Sequence, residues 1–457
     1  MLVAAGILFV QGFPTPADYD EGVYLASVDA LRHGQELGDE IFTPQPAGFY
    51  ELLYAGQAVF GVTVDGGRAV IVTMALVALA AAFLLGRALV GTAGGIGAAA
   101  LVLVAPPFAT FASRISADLP AYALALAALV CVVYAARGVR PDLLAGAAGV
   151  LLVAAVSVKL SALTALVAAP ALAVSLGLPR RAWAIAGTGA AAAAALILLV
   201  HVDDLDGLWR GAVSYHRAAR DVPGPGADYG ENLERVLRYL ELRTPYAWLV
   251  LAGVATAVLG WRSRGRSLLW PLWLWAAVAA GFLVSHRPLH DNHMVVLAVT
   301  LGLPAGAALG SAVQRVGGRR GAAAAALAVV LVAGAYAQEW RRLHRNQAET
   351  PAAEVWASEQ LRSRTRQGEL VVTDKPSIAF RADRRLPGEL MDTAALRFRS
   401  GFLTPAEVLG EIDRRGIRAV VAAREFRHQP EVMEGLRERF PTRLRDDGVT
   451  LFLRDGA

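Results

Sequence analysis

The sequence predicts a polytopic α-helical membrane region followed by a C-terminal α/β domain outside the membrane. Of the 457 residues, 55% are hydrophobic and only 18% are charged, and the mean hydropathy is +0.45. Soluble domains carry about 25% charged residues, so this composition excludes intrinsic disorder and argues against a purely soluble protein. The charge is also uneven, because residues 338–457 hold 22 of the 44 Lys and Arg residues. Residues 1–337 are therefore predicted to form the membrane region.

Apolar segments follow one another along this region, and a membrane-spanning helix needs about 20 mostly apolar residues. Leu2–Phe13 is apolar but short, and it has neither a basic start nor a clear cleavage site, so it is not predicted to be a signal peptide. Either it is a short first span or the true start lies upstream. With it, the sequence predicts about 11 transmembrane helices. The other ten segments are 69–90, 93–112, 119–136, 143–159, 161–178, 182–202, 245–261, 268–285, 292–311 and 321–337.

Arginines in the short links predict the orientation, since cytoplasmic loops carry an excess of Lys and Arg. An N-terminus in the cytoplasm places every arginine-rich link on the cytoplasmic side. The opposite, extracytoplasmic side then receives a large first loop (14–68) and the C-terminal domain (338–457). We therefore expect a multi-pass protein of the cytoplasmic (inner or plasma) membrane. The link arginines are Arg87, Arg137, Arg140, Arg180, Arg181, Arg262, Arg264, Arg266, Arg315, Arg319 and Arg320.

The C-terminal domain shows signals for both helices and strands. Thr350 and Thr404 each precede a proline, as an N-cap precedes the first helical residue. Thr404-Pro-Ala-Glu407 also fits a capping box. Strands are predicted at Leu370–Thr373, Ala419–Ala422 and Val449–Leu453.

Charge and cysteine content exclude several functions. The net charge is +5, and apart from Lys159 and Lys375 all basic side chains are arginines. No basic stripe alternates with aromatic residues, so nucleic acid is not a predicted partner. Cys131 is the sole cysteine, which excludes an intramolecular disulfide and a cysteine-based metal or redox site.

Two acidic features lie on the predicted outer side. Asp20 and Glu21 begin a helix-like stretch after the first apolar segment. They are either a catalytic pair or the acids that favour any helix N-terminus. Arg114 and Asp118, four residues apart, are either a simple i,i+4 ion pair or helix-end charges at a membrane boundary. The functional alternative is that Asp118 faces Asp20 across a cavity near Lys159 and that Arg114 binds a phosphate.

Two basic features also lie there. Lys159 is the only lysine of the membrane region, and a cation at such depth is costly, so it is a functional candidate; the alternative is that it extends to the interface. His290 and His293 flank Asp291 with a spacing that suits a metal, a phosphate or a sugar hydroxyl. The alternative is an ordinary polar loop.

The order of these motifs resembles the GT-C glycosyltransferases that use polyprenyl-phosphate sugars. The protein O-mannosyltransferase-like and lipid A aminoarabinose-transferase-like branches are the most similar. The resemblance covers roughly residues 1–310, and members often read Lys-Pro-Pro where this chain has Gln45-Pro46-Ala47. The matching features are Tyr19-Asp20-Glu21-Gly22-Val23-Tyr24, Pro44-Gln45-Pro46-Ala47-Gly48-Phe49-Tyr50, Val59-Phe60-Gly61, the Arg114/Asp118 turn and Lys159.

The resemblance implies transfer of a sugar from a polyprenyl-phosphate donor to an acceptor hydroxyl on a lipid, glycan or protein. It implies Asp20 as the base, with Glu21 supporting it, and Asp118 as a residue that orients the acceptor or binds a cation. It leaves open a divalent metal ion at Asp20, Glu21 or Asp118, and no other cofactor is implied. One base and in-line attack imply inversion at the anomeric carbon. The implied phosphate-binding residues are Arg114, Lys159, His290 and His293.

Two other functions compete with this one. A secondary transporter would show internal repeats and charges near mid-bilayer, whereas no repeat is visible and the candidate charges lie at the outer boundary. A membrane-anchored binding or assembly protein would need fewer than 11 spans. The transferase is therefore the preferred interpretation.

Overall fold

The computed structural model describes residues 16–224, 226–239, 244–264, 268–345 and 350–454, with the side chains of 260–264 and 343–345 left aside. Helices dominate up to residue 345. In chain order they are α1 Tyr19–Arg32, α2 Ala47–Phe60, α3 Val64–Val90, α4 Thr92–Leu103, α5 Pro106–Phe111, α6 Asp118–Ala136, α7 Pro141–Val158, α8 Ala165–Ser175, α9 Arg180–Val200, α10 Leu205–Trp209, α11 His216–Ala219, α12 Tyr229–Arg238, α13 Pro245–Arg264, α14 Trp270–Ser285, α15 Val295–Val316 and α16 Gly318–Arg345. A π-helical turn, Arg210–Tyr215, and two 3-10 turns, Leu160–Thr164 and Asp291–Met294, interrupt this series.

Among the described residues, six apolar helices are long enough to cross a membrane: Val64–Val90, Asp118–Ala136, Pro141–Val158, Arg180–Val200, Asp291–Val316 and Gly318–Arg342. Four shorter apolar helices, Thr92–Leu103, Leu160–Ser175, Pro245–Leu259 and Trp270–Ser285, coincide with the other predicted spans. Leu2–Phe13 lies outside the described residues. A helical region with six candidate membrane-spanning helices within the described ranges is thus confirmed, whereas the count of 11 spans stays a prediction.

The predicted span 93–112 is broken in two. Helix α4 ends at Leu103, and α5 begins at Pro106 after a two-residue gap. Pro106 and Pro107 have no backbone N–H to continue the ladder, and proline suits the first position of a new helix. The prolines therefore explain why one apolar run forms two helices.

Two compact units divide the described chain. Unit 1 contains residues 68–200 and 224–345, and unit 2 contains 16–67, 201–223 and 350–454. The predicted boundary after residue 337 falls within α16, and the prediction of a separate domain at 338–457 stays a prediction.

In unit 1, α4 and α15 pack so closely that a Cβ on Gly97 would lie 2.2 Å from the carbonyl oxygen of Gly306. Glycine allows this backbone-to-backbone contact.

Residues 350–454 of unit 2 form a four-stranded sheet with helices. The sheet order is β1-β2-β4-β3, with β1 parallel to β2 and the other pairs antiparallel. Asp447 and Gly448 have φ values of 30° and 80°, which suits the tight turn of the β3–β4 hairpin. The elements are α17 Ala352–Arg364, β1 Val372–Thr373, α18 Pro376–Arg381, α19 Ala395–Arg399, α20 Pro405–Arg414, β2 Ala419–Ala422, α21 Pro430–Arg439, β3 Thr442–Asp446 and β4 Val449–Leu453, with 3-10 turns at Gly388–Leu390 and Phe426–His428.

These elements agree with several local predictions. Thr404 forms the predicted capping box with Glu407 at the start of α20. The strands predicted at Ala419–Ala422 and Val449–Leu453 are present, whereas the one predicted at Leu370–Thr373 is limited to its last two residues. Strand β3 was not predicted, because its alternating arginines lie at an exposed sheet edge.

A buried carboxylate joins the two parallel strands. Asp374 follows β1 and accepts hydrogen bonds from the backbone N–H groups of Ala423 (2.7 Å), Arg424 (2.8 Å) and Phe426 (2.7 Å). Those three donors follow β2, so Asp374 ties the end of one strand to the loop after the other.

We expect Asp374→Ala to destabilise unit 2 by about 2 kcal/mol or more. It leaves the buried N–H of Phe426 unpaired, which costs about 1–3 kcal/mol, and it removes the acceptor of the part-buried N–H groups of Ala423 and Arg424. Thermal unfolding of the purified protein in detergent measures the loss. Asp413→Ala is the matched control. Asp413 is 48% exposed and pairs with Arg439 and Arg454, so its loss should cost less than about 1 kcal/mol. Equal shifts for the two variants would contradict the prediction.

Candidate functional site

The site in unit 1 is built around Asp118, the first residue of α6. An acid at this position interacts favourably with the free N–H groups and the dipole of the helix, and Pro120 suits the first turn. The side chain of Asp118 is fully buried. A buried carboxylate requires a charged or hydrogen-bonding partner.

Lys159 supplies that partner. Its Nζ lies 2.8 Å from Oδ2 of Asp118, and the residue is 8% exposed. Lys159 stands between α7 and the 3-10 turn Leu160–Thr164, in an extended conformation (φ −156°, ψ 130°). The two predicted spans 143–159 and 161–178 thus meet at Lys159, as expected. The break turns the lysine side chain to α6.

Asn292 completes the contact. Its Nδ2 donates to the same Oδ2 of Asp118 at 3.1 Å, from the 3-10 turn Asp291–Met294 that precedes α15. The other oxygen of Asp118, Oδ1, is buried and has no hydrogen-bond partner among the described residues. One carboxylate oxygen therefore joins three separate segments of unit 1.

Aromatic residues brace the turn that carries Lys159. The Tyr122 hydroxyl donates to the carbonyl of Ser161 at 3.0 Å and lies 3.0 Å from Oγ1 of Thr164. The indole of Trp275 donates to the same Oγ1 at 3.2 Å and stacks on the Tyr122 ring. These contacts attach the turn to α6 and α14, so the position of Lys159 depends on packed, buried groups.

The predicted histidines lie beside Asn292. The backbone N–H of His290 donates to Nδ1 of His293 at 3.2 Å, and their rings lie 5.6 Å apart. Partial desolvation of the ring by the surrounding protein, followed by the positive charges of Lys159 and Arg235, lowers the pKa of His290, although the residue is exposed overall. His290 is therefore neutral near pH 7, with one ring nitrogen that donates and one that accepts.

Arg114 does not pair with Asp118, whose cationic partner is Lys159. The simple i,i+4 ion pair is therefore wrong. The Arg114 guanidinium is half-buried and lies 6.0 Å from the centroid of the Phe111 ring. Its phosphate-binding role stays a prediction.

Asp20 and Glu21 belong to unit 2, at the first turn of α1. Glu21 is buried and forms a capping box with Asp18: the N–H of Asp18 donates to Glu21 Oε2 at 3.1 Å, and the N–H of Glu21 donates to Asp18 Oδ1 at 2.8 Å. The Glu21 carboxylate thus stabilises the helix start, which is the structural alternative stated above. Asp20 is exposed. That Asp20 shares a cavity with Asp118 and Lys159 stays a prediction.

The described residues contain no cluster of three or more His, Cys, Asp or Glu side chains that could bind a metal. At Asp118 a divalent ion would also compete with the ammonium group of Lys159 for Oδ2. The donor set therefore does not fit a metal at Asp118.

Comparison with known proteins identifies solved structures with the same fold. No protein-family model and no curated protein sequence matches the chain. Solved structures match over nearly the whole chain. Two ArnT structures from Cupriavidus metallidurans each have a TM-score of 0.69 at 14% identity. The match to the apo structure covers 99% of this chain and 96% of ArnT. The match to the structure bound to undecaprenyl phosphate covers 100% of this chain and 97% of ArnT.

Two further structures share this fold. The Archaeoglobus fulgidus oligosaccharyltransferase has a TM-score of 0.63 at 13% identity and covers 93% of this chain and 69% of its own. The arabinofuranosyltransferase AftD from Mycobacteria has a TM-score of 0.56 at 14% identity, and this chain spans 40% of its length. At 13–14% identity, these likenesses show a shared fold. The GT-C resemblance is confirmed at the level of the fold.

We expect Lys159→Met to destabilise the protein by about 3–5 kcal/mol, since it leaves the buried Asp118 carboxylate without its cation. Thermal unfolding in detergent measures the change. Arg181→Met is the matched control, because the Arg181–Asp142 pair is exposed and should contribute less than about 1 kcal/mol. In the double variant Lys159→Met/Asp118→Asn both charges are gone, so part of the stability should return. A Lys159→Met variant as stable as Arg181→Met would show that this pair is not a buried ion pair in solution.

Proposed function

We propose that the chain is a membrane glycosyltransferase. It moves a sugar from a polyprenyl-phosphate-linked donor to an acceptor hydroxyl on the extracytoplasmic side, with inversion. The observation that carries this proposal is the buried Lys159, which Asp118 and Asn292 anchor at a break between apolar helices. A cation so positioned suits an anion that enters from the lipid, and a lipid phosphate is such an anion.

The chemistry of the donor sets what the protein must supply. The acceptor loses its proton to a base, its oxygen attacks the anomeric carbon, and the bond from that carbon to the phosphate oxygen breaks. Polyprenyl phosphate leaves with the bonding electron pair. It is a good leaving group, so the protein must stabilise the departing negative charge and provide a base.

Lys159 provides the charge stabilisation in this proposal. Asp118 keeps the ammonium group oriented by accepting one of its three N–H bonds, which leaves two for phosphate oxygens. Neutral His290 and Asn292, from the adjacent turn, can donate further hydrogen bonds. Arg114 is proposed as a second phosphate-binding cation and His293 as the residue that orients His290.

Asp20 is proposed as the base, on the strength of the GT-C resemblance and of its exposure at the first turn of α1. A base that takes a proton from an acceptor must be reachable by that acceptor. Glu21 supports Asp20 by capping the helix on which both lie. The acceptor is a lipid, a glycan or a protein.

The relatives support the class of donor lipid. One ArnT structure is bound to undecaprenyl phosphate, and one structure of the archaeal oligosaccharyltransferase AglB contains a dolichol-phosphate. The link arginines support a cytoplasmic N-terminus and an outer-face reaction.

We expect Asp20→Asn to lower the release of polyprenyl phosphate from polyprenyl-phosphate sugars by about 100-fold or more, the usual contribution of a general base. The release is measured with purified protein and labelled donor. Asp29→Asn, on the same helix, is the matched control and should stay close to wild type. Normal turnover by Asp20→Asn would overturn its assignment as the base.

Dialysis against EDTA tests for the divalent ion, and we expect the turnover of the wild-type protein to persist.

We expect Lys159→Met to weaken donor binding by about 10-fold to 100-fold, because a charge-assisted hydrogen bond contributes about 1.5–3 kcal/mol. The measurement is the Kd for undecaprenyl phosphate, at a temperature where the variant remains folded. Lys375→Met is the matched control, since Lys375 belongs to unit 2 and pairs with Glu354. Unchanged affinity in Lys159→Met would contradict the phosphate-binding role.

A further inference from the structure

The hydroxyl of Tyr19 both donates and accepts a hydrogen bond. It donates to Oδ1 of Asp392 at 2.8 Å and accepts the backbone N–H of Thr393 at 2.7 Å. We call these three residues the tyrosine latch. Burial and the negative charge of Asp392 raise the pKa of Tyr19 well above its usual range, so the phenol keeps the proton that it donates. Tyr19 is the first residue of α1 and the neighbour of Asp20.

Asp392, the acceptor of the latch, is held by hydrogen bonds within its own segment. Asp392 is buried, and its Oδ1 also accepts the backbone N–H of Ala394 at 2.9 Å. The buried guanidinium of Arg397 donates to the carbonyl oxygen of Asp392 at 2.6 Å. The acceptor is therefore oriented by its own segment and does not depend on Tyr19 for its position.

A second contact lies one turn further along α1. A Cβ on Gly22 would lie 2.6 Å from the backbone nitrogen of Ser377, so α1 and α18 meet backbone to backbone. Residues 19 and 22 are three apart and share one face of the helix. Asp20 projects about 100° away from Tyr19 around the helix axis.

The ring of Tyr19 is also covered. The guanidinium of Arg424 lies 4.3 Å from its centroid, a cation–π distance. Arg424 is positioned by its own backbone N–H, which donates to Asp374. The segment with Asp392 and Thr393, the loop after β2 and α18 thus all contact the first turn of α1.

We propose that the tyrosine latch is a positioning device through which residues 350–454 fix the helix start that carries Asp20. The proposal rests on the function proposed above and assigns to this C-terminal region a part in the transfer step. The capping box fixes the local shape of the helix start but not its location in unit 2. The latch and the Gly22 contact fix that location, and they leave Asp20 on another side of the helix.

Three variants test the latch. Tyr19→Phe removes the hydroxyl but keeps the ring under Arg424, and Asp392→Ala removes the acceptor. Asp392→Asn keeps a carbonyl oxygen that can accept from Tyr19. A base displaced by about 1 Å costs on the order of 100-fold in rate, so we expect kcat to fall at least about tenfold in the first two variants. The KM for the donor should stay within about twofold, and Asp392→Asn should retain most of the activity.

Controls separate positioning from general stability. Tyr229→Phe is the matched control: this tyrosine of unit 1 is exposed and also lies beside an arginine, Arg287, at 4.5 Å, and its kcat should not change. Gly22→Ala forces α1 away from the backbone of Ser377 without removing a hydrogen-bonding side chain, and it should lower kcat like Tyr19→Phe. Each kcat is measured well below the Tm of its variant.

The outcomes distinguish the two proposals. If Asp20→Asn turns over normally, the base assignment fails. If Asp20→Asn is inactive but Tyr19→Phe and Gly22→Ala keep wild-type kcat, the latch proposal alone is overturned. A lower Tm without a lower kcat would likewise overturn it, because the latch would then be structural only.

Discussion

One carboxylate oxygen holds three segments of unit 1 together. Oδ2 of Asp118 accepts from both Lys159 and Asn292, and those three residues come from the start of α6, the break after α7 and the turn before α15. Charges are costly in an apolar region, so neither Asp118 nor Lys159 could remain there without the other. The break at Lys159 follows from the same constraint, because an extended residue between two helices lets the side chain reach α6. The aromatic brace around Tyr122 then keeps that turn in place.

The sequence predicted those parts of the structure that depend on local rules or on the cost of charge in lipid. The apolar runs predicted the helices. Scarcity identified Lys159 as a candidate, and the spacing from Arg114 together with the family resemblance identified Asp118. Asn292 was missed because a neutral amide carries no charge and polar residues are ordinary in a loop, although its place between His290 and His293 was a usable signal.

Unit 2 was harder to predict, because its contacts join residues far apart in the chain. Tyr19 and Asp392 are separated by 373 residues, and no periodicity in either segment indicates that they pair. The capping box of Asp18 and Glu21 is different: an acid three residues before a glutamate is a local signal, and it could have favoured the structural alternative for Glu21. Sequence patterns therefore predicted elements, whereas the assembly of 16–67, 201–223 and 350–454 into one unit required the structure.

The environments of the two aspartates argue for different roles. A residue that removes a proton from an acceptor hydroxyl must be accessible to that acceptor, and Asp20 is exposed. Oδ2 of Asp118 accepts from a cation and an amide donor, so proton abstraction by this oxygen would first require breaking the ion pair. Oδ1 has no such partner within the described part of the chain, but it is buried like the rest of the side chain. Environment, rather than residue type, separates such roles in other sites with two carboxyl groups. We therefore propose that Asp118 orients Lys159 rather than the acceptor or a metal ion, and Asp20 stays the proposed base.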